Sequence, residues 1–153
     1  MGTAVMGWGY EGKSVQDLVS DSKAWAVATV VDVRLNPISR KKGLSKTALR
    51  ASLAEAGVDY LHLPALGNPK DNRAGFAEPG TPAGHGARSR FETEVLDSDA
   101  ARDALAQVEA SSSKGLVLLL CFEASERCCH RSLVLEALRK RAAEVAARSL
   151  VAV

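Results

Sequence analysis

The hydrophobic pattern of this chain changes period several times, and each change marks an element. Five consecutive apolar residues, Leu116 to Leu120, predict a strand buried on both faces, as in a parallel sheet covered by helices on each side. Ala26 to Val33 (AVATVVDV) reads as a second strand by its β-branched content, and Val58 to Leu63 alternates enough to be a third. Ala4 to Trp8 is a shorter and weaker strand pattern, with Gly7, Gly9 and Gly12 at its end. Between the strands the spacing turns helical. Ser14, with Asp17 three residues on, has the form of an N-terminal cap for a helix carrying Val15, Leu18 and Val19. Ser45 as cap, Leu49 and Leu53 on the buried face and Gly57 as stop predict another. Ala101, Ala104, Leu105 and Val108 predict a third, and Leu133, Val134, Leu135, Ala137, Leu138 and Ala142 a fourth. The closing SLVAV has the composition of a last strand.

Alternation of this kind predicts an α/β fold: a single domain with a mainly parallel sheet flanked by helices, Rossmann-like in its layering. One stretch breaks the pattern. From Pro64 to Arg90 no periodicity survives and Gly and Pro recur, which predicts either a mobile lid or a disordered insertion.

Composition narrows the function classes. With 153 residues the chain is expected to form one core. Lys and Arg number 20 against 18 Asp and Glu, so no basic excess points to nucleic acid, and aromatic residues at 5% are too few for a base-stacking platform. The amino terminus has no basic segment followed by an apolar one, and no window approaches the roughly 18 apolar residues of a membrane span. A cytoplasmic protein with no membrane partner is therefore expected. Three cysteines, two of them adjacent, do not suit a disulfide framework and read as reduced thiols.

The candidate chemistry gathers where predicted strands end. Cys121 and Glu123 close the buried strand, and Cys129, His130, Arg131 and Ser132 open the following helix, where unpaired N–H groups and the macrodipole favour an anion. Asp32 and Arg34 end the second strand, two residues apart and so on one face, with Ser39 and Arg40 in the loop after Pro37. If the two strands are neighbours, Arg34, Arg40 and Arg131 converge on one crevice and suit a phosphate or carboxylate. A thiol beside His130, Arg131 and a helix start is favoured as a thiolate, Cys129 more so than Cys121, and His130 can act as acid or base with Glu123 polarising it. Each of these groups has a structural alternative: the cysteines as packing residues, and Arg34 in an ion pair with Asp32 or Glu123. Cys121 to Arg127 also spells C-x5-R, the spacing of phosphatase and rhodanese oxyanion loops. Cys121, Cys128, Cys129 and His130 are all accepted zinc ligands, but consecutive ligands on a helix point about 100° apart and no C-x2-C pair is present, so no metal is expected.

GYEG, VDVRLNPISR, the segment LSKTALRASLAEAGVDYLHLPALGNP and LLCFEASERCCHRSLV together resemble the domain of unknown function 488 family, which shares a VDVR-x-x-P-x-SR element and a C-x-E…CHR element. By that resemblance Asp32, Arg34, Pro37, Ser39 and Arg40 match the first element, and Cys121, Glu123, Cys129, His130 and Arg131 the second. In that element the arginine after the cysteine is Arg131, and a C-x9-R loop is too long to copy the phosphatase cradle. Cys128 is an additional thiol. The resemblance implies an α/β fold and no particular reaction. The reading drawn from the residues is an enzyme acting on a phosphorylated or other anionic small molecule, a nucleotide among them, with Arg34, Arg40, Arg131, Asp32, Ser39 and Ser132 binding and Cys121, Glu123, Cys129 and His130 reacting. The alternative is a non-catalytic module that binds a nucleotide or nucleic acid through the same arginines. No cofactor is indicated, and the oligomeric state is left open.

Overall fold

The computed structural model describes residues 4–151. Four strands, β1 (Val5–Gly9), β2 (Val27–Asp32), β3 (Asp59–His62) and β4 (Leu116–Cys121), form one sheet in the order β1-β4-β2-β3, all parallel. Six helices connect and cover them: α1 (Val15–Ala24), α2 (Lys46–Glu55), α3 (Arg73–Phe76), α4 (Pro82–Arg90), α5 (Asp99–Ser112) and α6 (Arg131–Val151). The result is a single α/β domain with a parallel sheet, as the alternating periods predict.

The sheet is buried on both faces, and the two-residue period of its strands sorts the core into two halves. Val30, Leu118 and Leu120 pack with Leu18 of α1 and with Leu49 and Leu53 of α2. Val31, Val117 and Leu119 face the other way, onto Phe91, Leu105 and Val108 and onto Leu135 and Leu138 of α6. Side-chain caps start α1, as expected, and α5, whereas Ser45 stands at the start of α2 without a side-chain cap bond. Ser14 Oγ accepts from the Asp17 N–H at 3.2 Å while Asp17 Oδ2 accepts from the Ser14 N–H at 2.8 Å, a reciprocal cap. Ser98 caps α5 in the simpler way, through the Ala101 N–H.

Two expectations are corrected. The SLVAV segment adds no strand among the described residues: α6 runs on through Val151, with Leu150 and Val151 at least four-fifths exposed, and Ala152 and Val153 lie outside the described residues. No sheet edge receives those side chains, so the helix continues in its own register. The segment from 64 to 90 is not irregular either. It folds into turns at Pro64–Leu66 and Lys70–Asn72 and then into α3 and α4. Gly67, Gly75 and Gly84 break the hydrophobic period because they serve as contact surface. A Cβ on Gly84 would lie 2.1 Å from the Glu78 carbonyl oxygen, and one on Gly75 would lie 2.6 Å from the Ala87 Cβ. Thr81 and Pro82 start α4, as cap and first helical residue, and Phe76 and Ala87 bury its contact with α3.

Parallel pairing brings all four carboxyl ends, Gly9, Asp32, His62 and Cys121, to one edge of the sheet. Chain leaving β4 passes to α6 on one face, whereas chain leaving the adjacent β2 passes to α2 on the other. Connections that part in this way open a crevice above the strand ends.

Candidate active site

β2 ends in a closed polar network. Asp32 is fully buried, and its carboxylate accepts from Arg34 Nε at 2.8 Å, Arg34 Nη2 at 2.6 Å, the Arg34 N–H at 3.1 Å and Tyr60 Oη at 2.5 Å. Arg34 Nη1 donates to the Leu44 carbonyl at 2.8 Å. Burial works to lower the Arg34 pKa, but the bidentate bond to Asp32 outweighs it and holds the guanidinium above its ordinary value. Burial and then the hydrogen bond to Asp32 raise the Tyr60 hydroxyl, which stays protonated as a donor. Arg34 is thus held as a structural ion pair, one of the two roles its position allows. His62 Nε2 lies 2.8 Å from the Arg34 carbonyl oxygen and ties β3 to the same turn.

β4 delivers the second cluster. Val33 N–H bonds the Leu120 carbonyl, and Tyr10 N–H bonds the Cys121 carbonyl, so Cys121 is fixed between the chains that extend β2 and β1. Its Sγ lies 3.5 Å from Glu123 Oε2 and 3.8 Å from His130 Nδ1, and Cys129 Sγ lies 3.7 Å from the same nitrogen. His130 Nε2 is 2.9 Å from the Val33 carbonyl oxygen. A carbonyl can only accept, so Nε2 carries the proton of the neutral ring and Nδ1 turns its lone pair to both sulfurs. The edge of Phe91, with ring centroids 5.5 Å apart, holds the imidazole in that orientation.

Cys129 does not have the environment expected of it. It precedes α6 in extended conformation (φ −126°, ψ 143°) and is 1% exposed. Its hydrogen bond with Cys121 and its burial together raise the thiol well above the usual range, opposite to the predicted lowering. The same backbone removes the objection to shared ligation. Cys129 and His130 stand before the helix rather than on it, so the 100° spacing does not apply.

The remaining predicted residues part company. Arg131 is 2% exposed and turns inward, donating to the Glu123 carbonyl at 2.6 Å and the Ala124 carbonyl at 3.2 Å, with Nε 3.7 Å from Glu126 Oε1. It staples the loop that carries Glu123 and does not line the crevice. Arg40 is exposed on its loop, and Ser39 holds that loop through Ser45 and Lys41. Ser132 Oγ donates to the Cys129 carbonyl at 2.8 Å. In the first turn of α6 the Ser132 and Leu133 N–H groups bond back to the carbonyls of Cys129 and His130. The three-arginine convergence therefore does not form: one guanidinium is paired, one is turned under a loop and one is outside. Arg127 of the C-x5-R spacing is exposed and outside the cavity lining as well.

Above the cluster lies a cavity of about 260 Å³ with Cys121 and His130 in its lining. Glu123, Asn68, Arg73 and Phe76 form its walls, and Leu35, Ile38 and Phe122 ring it with side chains 43%, 71% and 45% exposed. Asn68 is 3% exposed. Its Oδ1 accepts from Asn72 at 3.0 Å, which leaves its own amide nitrogen without a partner among the described residues. Asn68 and Phe76 are the functional candidates that sequence reasoning missed, because they belong to the segment read as irregular. Phe76, an isolated aromatic in a Gly- and Pro-rich stretch, was the available signal.

Fold and site together define a parallel α/β domain with a thiol–imidazole centre in a crevice at the strand carboxyl ends. The profile of the family described as domain of unknown function DUF488 matches residues 14–138, and the chain belongs to that family. No curated protein and no solved structure matches it.

Proposed function

We propose that this chain is an enzyme acting on a small molecule that has an apolar part and an anionic group, with Cys121, Glu123, Cys129 and His130 as its reaction centre. The observation that carries the reading is the orientation of His130. Its Nε2 proton is fixed on the Val33 carbonyl, so a basic nitrogen faces an ionisable thiol at a cavity wall, with a carboxylate on the thiol's other side. A base oriented by a third group beside a nucleophile is the arrangement by which enzymes activate weak nucleophiles. The ligand lies where open α/β sheets commonly bind, in a Rossmann-like manner beyond the strand ends. Leu35, Ile38 and Phe122 accommodate its apolar part. Arg73 supplies the cation for a phosphate or carboxylate, since it lines the cavity, is exposed and has no ion-pair partner among the described residues.

The non-catalytic alternative has less to rest on, since Arg34 lines the cavity but is held by Asp32, while Arg40 and Arg131 lie outside its lining. No helix among the described residues is long and apolar enough to cross a membrane. A centre that depends on free thiols fits a reducing compartment such as the cytoplasm.

Chromogenic aryl phosphates and carboxylate-bearing aryl esters test the proposal. Saturable turnover is expected, falling by at least about 100-fold in His130→Gln. In Arg73→Ala the binding of anionic members should weaken roughly two- to fivefold, the range for an exposed charge. Absence of both turnover and binding across the panel, followed by ligand-observed NMR, would refute the reading.

A further inference from the structure

Hydrogen bonding alone does not demand the spacing found at the cavity floor. One imidazole lone pair is approached by two sulfurs at 3.7 and 3.8 Å, and the three atoms all lie within 4.8 Å of one another. A tetrahedral zinc ion with bonds of about 2.3 Å to sulfur and about 2.0 Å to nitrogen holds such ligand pairs about 3.6 Å apart. The two sulfur–nitrogen separations are therefore close to edges of a coordination tetrahedron before any ion is added, and the two sulfurs lie within 4.8 Å of each other.

We propose that Cys121, Cys129 and His130 bind a divalent ion of the zinc class, with the fourth position facing the cavity. Three further features agree. The Nε2–H bond from His130 to the Val33 carbonyl is the outer contact that metal-bound histidines characteristically make, and it leaves Nδ1 as the ligand. Two thiolates neutralise a dication, so the loaded centre adds no net charge to a place where Cys129 and His130 are almost wholly buried. Sulfur and imidazole donors select this class of metal over magnesium or calcium. Binding exchanges two thiol protons, released to solvent, for one ion. Glu123 stands outside the set of mutually close donors but beside Cys121, where its carboxylate can take the proton of a water on the fourth position.

The inference rests on the reading of this cluster as the reaction centre and supplies its nucleophile: the metal-bound water in place of the bare thiol. Cobalt(II) titrated into the full, chelator-treated chain provides the test. One ion per chain should bind with a thiolate-to-cobalt charge-transfer band and the visible bands of a four-coordinate ion. Cys129→Ser and Cys121→Ser should each lower the charge-transfer band by roughly half, while Cys128→Ser leaves it intact. Should those variants fail to fold, alkylation of the unaltered chain followed by mass spectrometry decides. Zinc should then slow modification of Cys121 and leave half-buried Cys128 unaffected. A chain that shows no cobalt bands and no protection of Cys121 overturns the inference, as do bands that persist unchanged in both Cys121→Ser and Cys129→Ser. Turnover of the aryl panel without bound metal would remove the metal and keep the enzyme, whereas tight binding without turnover would keep the metal site and remove the enzyme.

Discussion

Replacing Asp32 by Asn keeps the shape of the carboxylate and removes its charge, and the structure makes this one of the most damaging small changes available. Asp32 is fully buried and Arg34 is 5% exposed, so water solvates poorly a guanidinium that has lost its counter-charge. Two of the bonds Asp32 accepts are charge-assisted contacts at 2.8 and 2.6 Å. Breaking a buried pair by neutralising one partner costs about 3–5 kcal/mol. A whole domain is stable by only about 5–15 kcal/mol. With a urea slope of about 2 kcal/mol per molar, the midpoint of unfolding should fall by about 2 M. A second variant isolates the cause. Asp32→Asn with Arg34→Met removes the stranded charge while Tyr60 keeps an acceptor, and more than half of the lost stability should return. A loss under about 1 kcal/mol, typical of exposed pairs, or a double variant no more stable than the single, would show that the network is incidental to the fold.

Two further outcomes follow from particular contacts. Burial and Asp32 raise the Tyr60 hydroxyl, so the folded chain keeps a proton that the unfolded chain releases above about pH 10. Stability from this group is therefore complete below that pH and declines as pH rises, by about 1.4 kcal/mol per unit. Denaturant titrations between about pH 9 and 11 should show a shallower decline in Tyr60→Phe, and parallel curves would contradict the assignment. Gly84→Ala forces a Cβ to within 2.1 Å of the Glu78 carbonyl oxygen, a contact the backbone cannot yield cheaply. A loss of about 1–3 kcal/mol is expected, read as a lower melting temperature, and an unchanged melt would mean that α3 and α4 pack loosely.

The elements whose signals are local were legible in the sequence. β4 announced itself by an unbroken apolar run, β2 by its β-branched residues and α1 by the Ser14–Asp17 cap. Asp32 and Arg34, two apart at a strand end, were open to reading as a pair, and the grouping of Cys121, Glu123 and His130 followed from their place between strand and helix. What failed depended on direction or on distant partners. Nothing in CHR says that Arg131 turns back under the loop carrying Glu123, since that needs Gly7 of β1 to leave room for the side chain. Cys129 was given to the helix because helical spacing begins nearby, although Cys129 itself is extended and α6 begins only at Arg131. Gly and Pro between residues 64 and 90 hid α3 and α4, because in sequence a glycine that permits contact looks the same as one that ends an element.

The strand order also constrains how this domain can be assembled. β1 pairs with β4 alone, and β4 is the last strand in the chain, inserted between β1 and β2. Whereas β2 and β3 can meet across one short helix, the first strand has no partner until residues 116–121 arrive more than a hundred positions later. Contacts of such sequence separation form late and slowly. The thiols travel with that final piece. Cys121 enters with β4, and His130 reaches Val33 only once β4 is in place, so the thiol–imidazole cluster is completed at the step that closes the sheet. Until that step His130 lacks the Val33 carbonyl that orients it, so the arrangement of thiols and imidazole described above belongs to molecules whose sheet is complete.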